Sequence, residues 1–200
     1  MISIELVVVA CRKRPAIILP FLENIPHRIH WTTDYELPEG WTIAQEYSSY
    51  LRHQKQYVGH LRCFRGHADA LKDVKSTVAL VIEDDAVPNR DDWVKVVAQA
   101  SKYMERYDVI SLHGRQFHPE HFEIEPQPLG VNFLKPLPGG QRWVQGSLAY
   151  LIRTDAASKL ISHEYNGYPI DIFLCNEFEK FGLINPSPFD HGHSRSLIDV

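Results

Sequence analysis

The chain opens on an apolar run, Ile2 to Ala10, rich in β-branched residues and closed by Cys11-Arg12-Lys13-Arg14-Pro15. Such a run reads as a first strand buried on both faces that stops at a basic loop. Ile17 to Asn24 suits a short helix and Arg28 to Thr33 a second strand. From Tyr57 the apolar positions fall at Val58, Leu61, Phe64, Ala68 and Leu71, the three-and-four spacing of an amphipathic helix. Thr77 to Ile82 returns to a strand. Asp92 is placed to cap a helix with the stripe Trp93, Val96, Val97, Ala100 and Met104. Asp108 to Leu112 follows as a strand.

The segment from His113 to Gly140 carries five prolines and mixed charge, which predicts an irregular, substrate-facing loop or a strand pair. Val144 to Arg153 alternates weakly, as a strand does, and Thr154 is placed to cap a helix over Ala156 to Ser162. Pro169 to Lys180 reads as a last helix with Gly182 at its C-terminal end. Strands separated by helices predict an α/β sandwich with a mainly parallel sheet, whose ligands gather at the carboxyl ends of the strands.

Composition narrows the class without naming a partner. The chain has 200 residues, 44% hydrophobic and 23% charged, with a formal charge of -4, so no overall positive field draws it to nucleic acid or anionic lipid. No apolar run approaches the ~20 residues of a membrane span, and the basic residues follow the first apolar run instead of preceding it, opposite to a secretory signal. A cytoplasmic protein is expected. Cys11, Cys63 and Cys175 are odd in number and lack a CxxC pair, so neither a disulfide framework nor a zinc cluster is predicted, and the three are expected to be reduced and mostly packed.

Four groups of residues could carry chemistry. Glu83, Asp84 and Asp85 follow the strand Thr77 to Ile82 directly. Three adjacent carboxylates repel one another, and a divalent cation such as Mg2+ or Mn2+ would remove that cost; the alternative is a solvated turn. If the segment stays extended, Glu83 and Asp85 share a face and Asp84 takes the other. The tail Phe189 to Ser196 offers Asp190, His191 and His193 as ligands, or is a frayed terminus. His53, His60 and His67 are spaced by seven, which on one helix separates neighbours by about 10 Å, too far to share an ion. Arg12, Lys13 and Arg14 could bind a pyrophosphate or form a solvated loop. No glycine-rich dinucleotide or P-loop motif is present.

In order along the chain, four segments resemble glycosyltransferase family 25, which includes lipopolysaccharide glycosyltransferases and collagen galactosyltransferases. GHLRCFRGHADA (Gly59 to Ala70) is similar to the family's G-x-x-G-C-x-x-S-H stretch, with Gly59, Cys63 and His67 in register. ALVIEDDAVP resembles its strand ending in Glu-Asp-Asp, GSLAYLIRTDAASKLI its glycine, tyrosine strand and helix, and PIDIFL its Pro-x-Asp segment. Arg62 stands where the family has glycine and Gly66 where it has serine.

The resemblance implies a GT-A-like α/β fold and metal-dependent, inverting transfer of a sugar from a nucleotide-sugar donor, a UDP-sugar first, to a hydroxyl acceptor. Residues 1–112 would form the nucleotide-sugar-binding half, and 113–200 the acceptor-side half and tail. Asp85 would bind Mn2+ or Mg2+ with His191 or His193; Arg12, Arg14, His67, Glu83 and Asp84 would serve the donor. Asp171 would be the catalytic base, or else a first-turn acid interacting with the helix dipole. Gly146 and Tyr150 would line the acceptor side, as packing more than chemistry. The acceptor could be a glycan, a glycolipid, a protein side chain or a modified nucleic-acid base. Two other classes share clustered acids or the fold: a metal-dependent phosphoesterase or nuclease, and a non-catalytic carbohydrate-binding domain.

Overall fold

The computed structural model of the protein describes residues 2–12, 15–36, 39, 54–115, 117–140 and 144–192. Their elements run β1 (Ile4–Ala10), β2 (His27–Trp31), α1 (Gln54–Lys72), β3 (Val78–Glu83), β4 (Ala86–Pro88), α2 (Trp93–Ser101), β5 (Val109–Ser111), β6 (Phe122–Gln127), β7 (Val131–Pro136), β8 (Ala149–Arg153), α3 (Thr154–Ser162), α4 (Ile170–Glu177), β9 (Phe181–Asn185) and β10 (Phe189–His191). Eight strands form one sheet in the order β2-β1-β3-β8-β5-β9-β7-β6, and β10 pairs with β4 apart from it.

The α/β class holds. Six strands of the large sheet point one way, while β8 and β7 run against their neighbours. From Leu6 to Ala10 the first strand is apolar and buried because both its faces are covered. Val7 and Val9 pack with Leu61, Phe64 and Leu71 of α1, Leu160 of α3 and Phe173 of α4. Leu6, Val8 and Ala10 pack on the opposite face with Ile18, Leu22 and the α2 stripe Trp93, Val96, Val97 and Ala100. Burial of alternate residues on two helical layers is what removes the polar face that a half-exposed strand would show.

Several local expectations give way to tertiary context. Asp92 occupies the position before α2 but makes no capping bond; its carboxylate instead pairs with Arg90, whose Nη2 donates to it at 3.0 Å. Thr154 is the first residue of α3, not its cap, and its hydroxyl donates to the carbonyls of Ser76 and Thr77. The proline-rich segment contains an antiparallel hairpin, β6 with β7, joined edgewise to β9. Gly182 is no helix terminus: it lies inside β9, where an added Cβ would stand 2.4 Å from Phe133 Cζ, so the glycine admits the aromatic ring against the strand.

Phe189 to His191 are strand residues and not a frayed end, because β4 offers them a partner: Phe189 pairs with Pro88, Asp190 with Val87 and His191 with Ala86. Lys13, Arg14, His53 and His193 lie outside the described residues. No helix among the described residues is long and apolar enough to cross a membrane.

Candidate functional site

The sheet topology decides which loops meet. Since β1, β3 and β5 are co-directional and β8 runs against β3 and β5, the C-terminal ends of three strands and the N-terminal approach to β8 share one edge. Cys11, Glu83, His113 and Ser147 are brought there from distant parts of the chain. The N-terminus of α4 and one flank of α1 close the space, leaving a cleft of about 750 Å³ lined by Arg12, Cys63, His67, Glu83, Asp85, Arg115, Gly146, Asp171 and His191, among others. That volume lies within the range of small-molecule sites.

The three acids do not stay extended. Glu83 ends β3, while Asp84 and Asp85 form the turn into β4, and each carboxylate takes a different partner. Glu83 Oε1 accepts the Ser147 hydroxyl at 2.6 Å and stands 3.4 Å from His67 Nε2. Asp84, fully buried, accepts the Cys11 backbone N–H at 2.6 Å, and its own N–H donates to the Val9 carbonyl at 3.0 Å. The expectation that it serves the donor meets a carboxylate whose visible work is to tie the end of β1 to the end of β3. Asp85, 3% exposed, has Oδ2 3.6 Å from His191 Nδ1, while its carbonyl accepts the Gly192 N–H at 2.7 Å. The tail thus folds back onto the acids through the β4–β10 pairing.

Asp171 sits in the first turn of α4. Oδ2 accepts the Gly146 N–H and Oδ1 the Ile172 N–H, both at 2.9 Å. Burial pushes its pKa up, the two N–H donors pull it down, and Glu83 adds an upward push; the balance is upward. Gly146 makes this possible. Its φ is 112°, and a Cβ there would lie 2.4 Å from His113 Nδ1, so only glycine lets the backbone turn its N–H toward Asp171 beside that ring. His113 is itself buried, packs edge-on against His191 with centroids 5.2 Å apart, and has its pKa lowered to about 4 by desolvation and then by His191.

Tyr150, placed by the sequence on the acceptor side as packing more than chemistry, is 1% exposed, and its hydroxyl lies 2.8 Å from His67 Nδ1, with the two rings stacked. Inward orientation on a central strand puts it in the core beneath the cleft, and burial raises its pKa well above the ordinary value. Arg12 is exposed at the cleft mouth.

Cys63, His67 and Glu83 each bring one ligand atom, and these lie within 4.8 Å of one another. The group could hold a metal ion, a use of Cys63 beyond its packing against the core. The signal was in the sequence: Cys63 and His67 are i and i+4 on one helix, hence one above the other on the same face. What the sequence lacked was the end of β3, which brings Glu83 to that face. Arg115 and Ser147 were also missed: Arg115 lies in a segment without periodicity, and nothing in the weak alternation around Ser147 marks it as a site residue. None of the three cysteines forms a disulfide.

Comparison with models of known protein families gives no match, and comparison with curated proteins gives none. Similar solved structures include A197 from STIV, at 13% identity and TM-score 0.44 over 95% of this chain and 86% of that one. Others are TarS 1-349 of S. aureus in complex with UDP, at 14%, 0.48, 92% and 59%, and mannose-1-phosphate geranyltransferase from Thermus thermophilus, at 14%, 0.39, 92% and 60%. The chain spans about three fifths of the length of the latter two. These values describe a distant likeness of backbone path.

Proposed function

We propose that the protein is a glycosyltransferase that moves a sugar from a nucleotide-diphosphate donor, a UDP-sugar first, to a hydroxyl acceptor with inversion. The observation that carries the reading is that one cleft of about 750 Å³ holds both the Asp85–His191 pair and a separate carboxylate, Asp171, with a raised pKa. A carboxylate and an imidazole 3.6 Å apart fit an octahedral ion, whose bonds of about 2.1 Å put neighbouring ligand atoms roughly 3 Å apart, and the mixed oxygen and nitrogen set suits Mn2+. Bound there, the ion would supply positive charge to the leaving diphosphate.

The remaining steps belong to the chain. Arg12 and Arg115, both exposed at the cleft, add cationic hydrogen-bond donors for phosphate oxygens. Asp171 accepts the proton of the attacking hydroxyl: burial raises its basicity, and the Gly146 and Ile172 N–H groups fix its orientation while keeping it ionisable. Asp84 keeps the two strand ends together so that these groups hold their spacing.

Thermal melts with a panel of nucleotide sugars, with and without Mn2+, test this. A ligand at a hundred times its Kd stabilises by about 2.7 kcal/mol, or roughly 5–10 °C for a chain of this size. Asp85→Ala should abolish the Mn2+-dependent part, and Asp171→Asn should keep donor binding while transfer falls by about 10²–10⁴. If no nucleotide sugar raises the midpoint with either Mn2+ or Mg2+, the proposal fails.

A further inference from the structure

We propose that Cys63, His67 and Glu83 form a zinc site with three protein ligands and a fourth position open to the cleft. It is a second cation site, distinct in residues from the Asp85–His191 pair, and does not depend on what the cleft transfers.

The geometry suits the ion. Two ligands at about 2.1 Å around a tetrahedral centre are about 3.4 Å apart, and His67 Nε2 lies 3.4 Å from Glu83 Oε1. The three ligand atoms are all within 4.8 Å of one another, so the longer Zn–S bond is met by a small side-chain adjustment. His67 is fully buried, and its Nε2 is without a hydrogen-bond partner. A buried ring nitrogen of that kind is costly unless something accepts its lone pair or its proton.

The surroundings are those of a metal-ligating histidine. With Nδ1–H donating to the Tyr150 hydroxyl, 2.8 Å away, Nε2 presents its lone pair to the other two ligands. An outer partner on the far nitrogen fixes tautomer and ring plane in such sites. Ser147 donates to Glu83 Oε1 at 2.6 Å and orients the carboxylate in the same way. A thiolate, an imidazole and one carboxylate form a borderline-soft set that selects zinc over Mg2+ or Mn2+. Placing Cys63 and His67 one helical turn apart lets the ion tie α1 to the end of β3, and since all three residues line the cleft, a water or a ligand oxygen can take the fourth position.

The test is metal binding by the full chain, stripped with a chelator and titrated with Co2+ and then Zn2+. The expected result is one tight Co2+ per chain with a thiolate-to-cobalt charge-transfer band, displaced by Zn2+. The band disappears in Cys63→Ser, persists in Cys11→Ser, and in Tyr150→Phe requires about tenfold more Co2+. Circular dichroism checks that each variant is folded. Absence of the band in the unaltered chain, or its survival in Cys63→Ser, overturns the proposal. Asp85→Ala keeps the band, and Mn2+-dependent donor binding that survives in that variant with the band intact counts against the transferase reading alone.

Discussion

Replacing Gly146 by alanine tests the reasoning about the cleft floor, because two separate costs meet at one methyl group. The backbone has φ 112°, a conformation that costs a side-chain-bearing residue about 1–3 kcal/mol. The methyl would also stand 2.4 Å from His113 Nδ1 and 2.8 Å from its Cε1. His113 is buried against His191, so the ring cannot swing away freely, and overpacking of this kind costs about 1–3 kcal/mol. Together the loss is about 4 kcal/mol, or a midpoint lower by about 8–16 °C at this chain length. Gly130→Ala and Gly139→Ala are the matched comparison: both glycines have positive φ, but nothing lies within 4 Å of the added methyl. They should lose only about 1 kcal/mol, or about 2–4 °C. Differential scanning calorimetry of the three variants reads all of this. A Gly146→Ala midpoint within about 3 °C of its controls, on the order of 1 kcal/mol, would show that the ring yields and the contact is not a constraint.

Two further outcomes follow from the buried groups. His113, neutral in the fold with its pKa lowered to about 4, takes up a proton on unfolding at any pH between there and its ordinary value. Stability is therefore intact above pH ~6.5 and falls as pH drops toward 4, by about 3 kcal/mol for this group; denaturant titrations at pH 7 and 5 should show a smaller loss in His113→Gln, and equal losses would refute the assignment. Phe173 is fully buried at the meeting of α4 with α1, 5.1 Å from Phe64 and 4.6 Å from His163, so Phe173→Ala should cost about 3–5 kcal/mol in urea unfolding.

The sequence by itself determined the elements whose signal is periodic: α1 from its three-and-four spacing, α2 from the Trp93 stripe, and β1 and β3 from apolar runs too continuous for a half-exposed sheet. It also marked Glu83, Asp84 and Asp85 as costly to leave uncompensated, because adjacent like charges repel wherever the chain puts them. Only the tertiary structure decided what each acid does. A turn after Glu83 sends the three carboxylates to Ser147 and His67, to Cys11, and to His191, partners at sequence separations that no local pattern encodes. The strand at Phe189 exists because β4 pairs with it, Gly182 is a strand residue because Phe133 needs the space, and Tyr150 faces the core because β8 is central and covered on both sides. Cys63 and His67 were legible as neighbours on one helix face, but the third ligand came from a strand end that only packing brings to them.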